Sequence, residues 1–126
     1  MHVCYIISTL RETGPTTQLL NITDNLEDDI TATVVTLSPA RGNSLTDAFE
    51  DAGVSVTSLN LSRLASSVYG VPKLRNRVGA LSPDVVHSHG FRADLLSALA
   101  LRSYPTVSTL HNNPVLDYTY QYGPVK

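Results

Sequence analysis

The chain has 126 residues, of which 42% are hydrophobic and 16% charged, with a formal net charge of −2. That composition excludes a disordered tail and supplies one ordinary core. There is no apolar run long enough to span a membrane and no basic, small-residue leader ahead of "HVCYIIS". The single cysteine, Cys4, has no internal partner, which is the expectation for a reducing cytoplasm.

"HVCYIIS" (His2–Ser8) is a continuous apolar run and reads as a buried first strand. In "TTQLLNITDNLE", Leu19, Ile22 and Leu26 recur at helical spacing, with Thr16 or Thr17 as the N-cap. "TATVVTL" (Thr31–Leu37) is β-branched and predicts the second strand. A short helix begins near Ser44, and Gly53 suits the left-handed position that ends it. "VSVTSL" (Val54–Leu59) is the third strand.

Val71, Leu74, Val78 and Leu81 then mark a third helix, broken by the serine–proline pair at 82–83. "DVVHSH" (Asp84–His89) is the fourth strand, "RADLLSALAL" the fourth helix and "PTVSTL" (Pro105–Leu110) the fifth strand. The last sixteen residues, "HNNPVLDYTYQYGPVK", carry no clear element. Strands alternating with helices call for an α/β fold, a doubly wound, Rossmann-like parallel sheet of order 3-2-1-4-5. Ligands of such sheets bind beyond the carboxyl ends of the strands, at the switch point between strands one and four.

Charge is unevenly spread. Met1–Ser62 holds eight acidic and two basic residues, net −6; Arg63–Lys126 holds seven basic and three acidic, net +4. Arg63, Lys73, Arg75 and Arg77 supply most of the excess. They read either as a solvated helix face or as a footprint for an anionic ligand or lipid surface. They are too sparse, and too poor in neighbouring aromatics, for nucleic acid.

Two loops at the switch point hold the polar residues of interest. The first places Gly14 and Pro15 before a helix, where free amides and the helix dipole favour an anion. Gly14 there is either a turn residue or a point of close approach to a phosphate or sugar. The second is "HSHGFRAD". His87 and His89 share one strand face; His87 reads as a hydrogen-bonded interior histidine and His89 as a ligand-facing residue at the cleft rim. A metal site needs further ligands that the chain does not place nearby. Arg92 and Asp94 read as a local ion pair or a cap, worth a few tenths of a kcal/mol if exposed. His111 follows strand five, with Asn112 beside it, as an asparagine-rich turn or a polyhydroxyl-binding loop.

Taken in order, "CYIIS…GPTTQLLNI", "VVTLSP", "AGVSV", "PDVVHSHGFRADLLSAL" and "VSTLHNNP…DYTYQYG" resemble the N-terminal half of family-four retaining glycosyltransferases of the GT-B type. The resemblance implies two Rossmann-like domains facing across a cleft, the first binding acceptor and the second binding a nucleotide-sugar donor through paired glutamates. Residues 1–126 would then be a single acceptor-side domain, with the donor-binding domain outside the sequence. It implies transfer with retention, no metal and no cofactor beyond the nucleotide-sugar substrate. By resemblance Gly14, Pro15 and Thr16 form the loop at the donor diphosphate. His111 stands at the reaction centre, and His89, Arg92 and Asn112 line the acceptor side.

The family's loop has a second glycine and a following glutamate, where this chain has Pro15 and Thr17. Pro15 removes one amide donor. Implied partners are a sugar or lipid-linked acceptor and a missing domain or partner chain, with a homodimer and peripheral contact at the inner membrane face as open alternatives. The competing reading is a non-catalytic binding or scaffolding module of the same fold that pairs with a partner chain. A metal hydrolase built on His87 and His89 is the third.

Overall fold

The computed structural model describes residues 1–39, 42 and 44–109. Their order is β1 (His2–Ile7), α1 (Gly14–Asp24), β2 (Thr31–Thr36), α2 (Thr46–Asp51), β3 (Ser55–Ser58), α3 (Arg63–Leu81), β4 (Val85–His89), α4 (Phe91–Ala100) and β5 (Thr106–Thr109). All neighbouring strands pair in parallel, in the order β3-β2-β1-β4-β5, as the alternating pattern predicts.

Each right-handed crossover decides where its helix lies. The steps from β1 to β2 to β3 move one way and put α1 and α2 on one face. The steps to β4 and β5 move the other way and put α3 and α4 on the opposite face. The core accordingly has two halves. Val3, Tyr5 and Ile7 pack with Leu19, Val34 and Phe49 under α1 and α2. Cys4 and Ile6 pack with Val35, Leu74, Val78, Val86 and Leu96 under α3 and α4. β1 is buried on both faces, which is why it reads as an unbroken apolar run.

Helix boundaries differ in instructive ways. The cap of α1 is Thr13, not Thr16 or Thr17; its hydroxyl accepts from the Thr16 amide. Pro15 sits in the first turn, where its missing N–H is no loss and its φ already suits a helix. The buried residues are Thr16, Leu19 and Thr23, so Ile22 falls on the flank and is exposed. Thr23 satisfies its hydroxyl by donating to the Leu20 carbonyl at 3.0 Å.

In α3 the expected stripe holds: Leu74 and Val78 are fully buried, with Val71 and Leu81 packed beside them. The helix starts earlier than that stripe, capped by Ser62, and carries Pro72 inside it. Pro72 cannot donate to the Val68 carbonyl, and Val68 is exposed, so water can serve that group. Ser82 closes the helix in the left-handed region, at φ 48°. Among the described residues β5 is one of the sheet's two outer strands, and Thr106, Val107 and Ser108 are exposed on it. The predicted last residue of that strand, Leu110, lies outside the described residues.

Candidate functional site

The switch point lies where Ile7 pairs with His89 at the carboxyl ends of β1 and β4. β4 passes into α4 through Gly90 alone, at φ 94° and ψ 160°, a conformation open essentially to glycine. The first helical turn of α4 therefore starts directly at the strand end. β1 reaches α1 through a longer loop, pinned where the Leu45 amide donates to the Leu10 carbonyl at 2.7 Å.

At the start of α1 the amides are nearly all used. Thr16 donates to the Thr13 hydroxyl at 3.4 Å and Thr17 to the Thr13 carbonyl at 3.0 Å, while Pro15 has no N–H. Among the described residues the Gly14 amide has no such acceptor. A Cβ added at Gly14 would meet no atom within 4 Å, so the glycine leaves the turn open to an approaching group. Thr16, expected to contribute to this loop, is buried, and its hydroxyl meets that of Thr13 at 3.1 Å. The anion-binding capacity of the turn rests on one amide and the helix dipole.

His87 and His89 do share a face. Their rings stack with centroids 4.3 Å apart, and the Tyr5 ring lies 5.3 Å from His87 and 5.9 Å from His89. Burial keeps the Tyr5 phenol above its ordinary pKa, so it is protonated at neutral pH. The expected ranking of the two histidines is reversed. His89, read as the rim residue, is only 2% exposed, and His87, read as the interior one, is half-buried. His87 lies between Tyr5, which is buried, and Val107, which is exposed on the outer strand. Among the described residues no three His, Cys, Asp or Glu side chains gather as metal ligands.

Arg92 and Asp94 do not form the expected local pair or cap. Asp94 accepts from the buried Ser88 hydroxyl at 2.5 Å. Arg92 reaches across the sheet end to the Ser38 hydroxyl at 2.8 Å and to the Leu61 and Ser62 carbonyls, both at 3.4 Å. Ser38 is the junction that sequence reasoning missed. Its hydroxyl donates to the Leu61 carbonyl at 2.8 Å, its carbonyl accepts from the Ser58 hydroxyl at 3.1 Å, and its amide donates to the Ser8 carbonyl at 3.0 Å. The exits of β1, β2 and β3 are thus tied to one another and, through Arg92, to α4. A serine before Pro39 was the only signal, and nothing local distinguishes it from a turn residue. His111 and Asn112 lie outside the described residues.

A model of Glycosyltransferase Family 4 matches residues 13–125, from the Thr13 cap onward. The chain belongs to glycosyltransferase family 4. Its sheet order and helical layers are those of the N-terminal GT-B domain of that family. No curated protein matches the sequence.

Among solved structures, the family-4 domain resembles UDP-GlcNAc 2-epimerase from Neisseria meningitidis, bound to UDP-GlcNAc. The TM-score is 0.68 at 16% identity, over 98% of this chain and 35% of the epimerase. It also resembles the glycosyltransferase of kitacinnamycin (TM-score 0.52, 16% identity, 85% of this chain and 29% of that one). The C-terminal domain of a hydrogenase from Pyrococcus furiosus gives 0.53 at 17% identity, over 86% and 90% of the two chains. At these identities the likeness is one of fold. The chain spans about a third of the epimerase's length.

Proposed function

We propose that this domain is the acceptor-side wall of a retaining glycosyltransferase that uses a nucleotide-sugar donor. The observation that carries the reading is the pairing of the carboxyl ends of β1 and β4 at Ile7 and His89, which sets the open Gly14 turn after one strand and the stacked His87 and His89 rings on the other. In this reading the Gly14 turn approaches the donor diphosphate, flanked by Pro15 and Thr16. Asn112 serves the acceptor, His89 backs that wall from the interior of the strand end, and His111 stands beside the transferred sugar. Arg92 acts as a positioning residue, because its guanidinium donates to Ser38, Leu61 and Ser62.

Sugar transfer requires stabilising the charge that develops on the leaving diphosphate and holding the acceptor hydroxyl in line. One amide and a helix dipole supply a small part of that, so most of the stabilisation comes from a second wall. The 35% coverage of the epimerase fits a donor-binding domain contributed by further sequence or by a partner chain. No resident metal or cofactor is needed. The deciding assay gives this chain several nucleotide sugars, alone and with a donor-binding domain added. The expected result is turnover only in the second case, and robust turnover by the chain alone overturns the proposal.

A non-catalytic module that pairs with a partner chain is the second reading, favoured by the exposed outer strand β5. Light scattering separates the two: a monomer that gains activity with a donor domain excludes it.

A further inference from the structure

The chain has two phenylalanines, and the core uses one of them. Phe49 is fully buried under α1 and α2. Phe91 is 79% exposed, more than any other large apolar side chain among the described residues. It is the first residue of α4, a position that helices commonly give to proline or an acidic residue. Its ring joins neither half of the core.

The backbone that carries this ring is nevertheless clamped on both sides. Gly90 joins it to the end of β4 with no intervening loop. Arg92, next in the chain, donates to the Ser38 hydroxyl and to the Leu61 and Ser62 carbonyls. Ala93 is fully buried. The Asp94 carboxylate accepts from Ser88, and the Asp94 amide donates to the Gly90 carbonyl at 2.8 Å. Phe91 thus presents an exposed ring from a fixed helical turn, which spares a ligand the cost of ordering it.

The ring also stands at the end of the sheet where ligands bind. Ala93, Leu96, Ser97 and Ala100 face inward from α4, and helical periodicity puts Phe91 roughly opposite them. A helical Cα–Cβ bond tilts toward the helix N-terminus, which in α4 adjoins the carboxyl end of β4. Phe91 therefore leans outward past the strand ends, at the rim of the switch point. Arg92 ties Ser38 and Ser62, from the exits of β2 and β3, to the same helical turn. An aromatic face near hydroxyl-bearing side chains suits a sugar ring, which has an apolar C–H face and a rim of hydroxyls. We infer that Phe91 is the platform on which a sugar unit of the acceptor stacks. This assignment rests on the acceptor-side reading, and it gives the acceptor a saccharide, not an alkyl chain, where Phe91 holds it.

The sequence contains no tryptophan, so Phe91→Trp supplies a single fluorescent reporter. The full chain is titrated with the methyl glycosides of glucose, galactose, mannose and N-acetylglucosamine, and with 1-octanol. A shift of the indole emission with at least one glycoside, and none with octanol, is expected. Affinity for that glycoside is then measured by ligand-observed NMR. Phe91→Ala is expected to weaken it by about tenfold, the scale set by returning one apolar ring face to water. Phe91→Tyr keeps the ring face and is expected to bind within about twofold of the unaltered chain. The melting temperature should not change in either variant, because the ring is exposed. Equal affinity in the alanine variant overturns the inference and leaves the acceptor-side reading standing. Binding of no glycoside, or a shift with octanol alone, also overturns it; turnover with an added donor-binding domain then judges the acceptor-side reading separately.

Discussion

Replacing Arg92 by alanine separates a fastener from a surface charge. Were Arg92 a solvent-exposed partner of Asp94, its loss would cost about 0.3 kcal/mol. Instead it donates to the Ser38 hydroxyl at 2.8 Å and to two carbonyls at 3.4 Å. A hydrogen bond from a charged donor contributes about 1.5–3 kcal/mol, and contacts as long as the other two add a few tenths each. The expected loss is about 2–3 kcal/mol. For a chain of this size that lowers Tm by roughly 6–12 °C, against about 1 °C for the surface pair.

Thermal unfolding followed by circular dichroism is the assay. Arg92→Lys keeps the charge but cannot span the same acceptors, so it should recover less than half. A double-mutant cycle with Ser38→Ala should give a coupling of about 1 kcal/mol or more. A Tm loss below about 2 °C, or no coupling to Ser38, would refute the claim that Arg92 ties α4 to the exits of β2 and β3.

Gly90→Ala should destabilise the fold by about 1–3 kcal/mol in urea unfolding, because φ 94° with ψ 160° excludes a side chain. Gly14→Ala, with open space around it, should leave stability within about 0.5 kcal/mol; under the proposed function it should weaken donor binding by the complete protein, measured by KM for the nucleotide sugar. Burial pushes the Cys4 thiol from 9.0 up to about 12, so it should resist alkylation when folded and react once denatured. Its folded pKa is raised, so its contribution to stability is complete below pH 9 and falls as pH rises from there towards 12; a Cys4→Ala variant should lose that part of the alkaline dependence. Under the proposed function, His111→Ala in the complete protein should sharply lower kcat, and near-normal transfer would remove His111 from the proposed reaction centre.

What the amino-acid order determined by itself was whatever depends on near neighbours. Continuous β-branched runs alternating with helical spacing specify five parallel strands, and crossover handedness then leaves little freedom in their order. The glycine at position 53 could be assigned to a left-handed helix end because that requirement is local; its φ is 85°. Thr13 was missed as a cap, although it too is local, because Pro15 looks like a break until it is placed in a first turn.

Other properties were settled only by contacts between distant parts of the chain. Arg92 meets Ser38, 54 residues away, and Leu61, 31 away, and no local pattern points to either. The order of burial of His87 and His89 depends on what packs over each ring, which the strand's own alternation cannot express. The division of charge was legible as two halves of the sequence. Only the reversal of winding direction at β1 turned those halves into opposite faces, one acidic and one basic. A switch point is a property of topology, and in this protein it placed the candidate site.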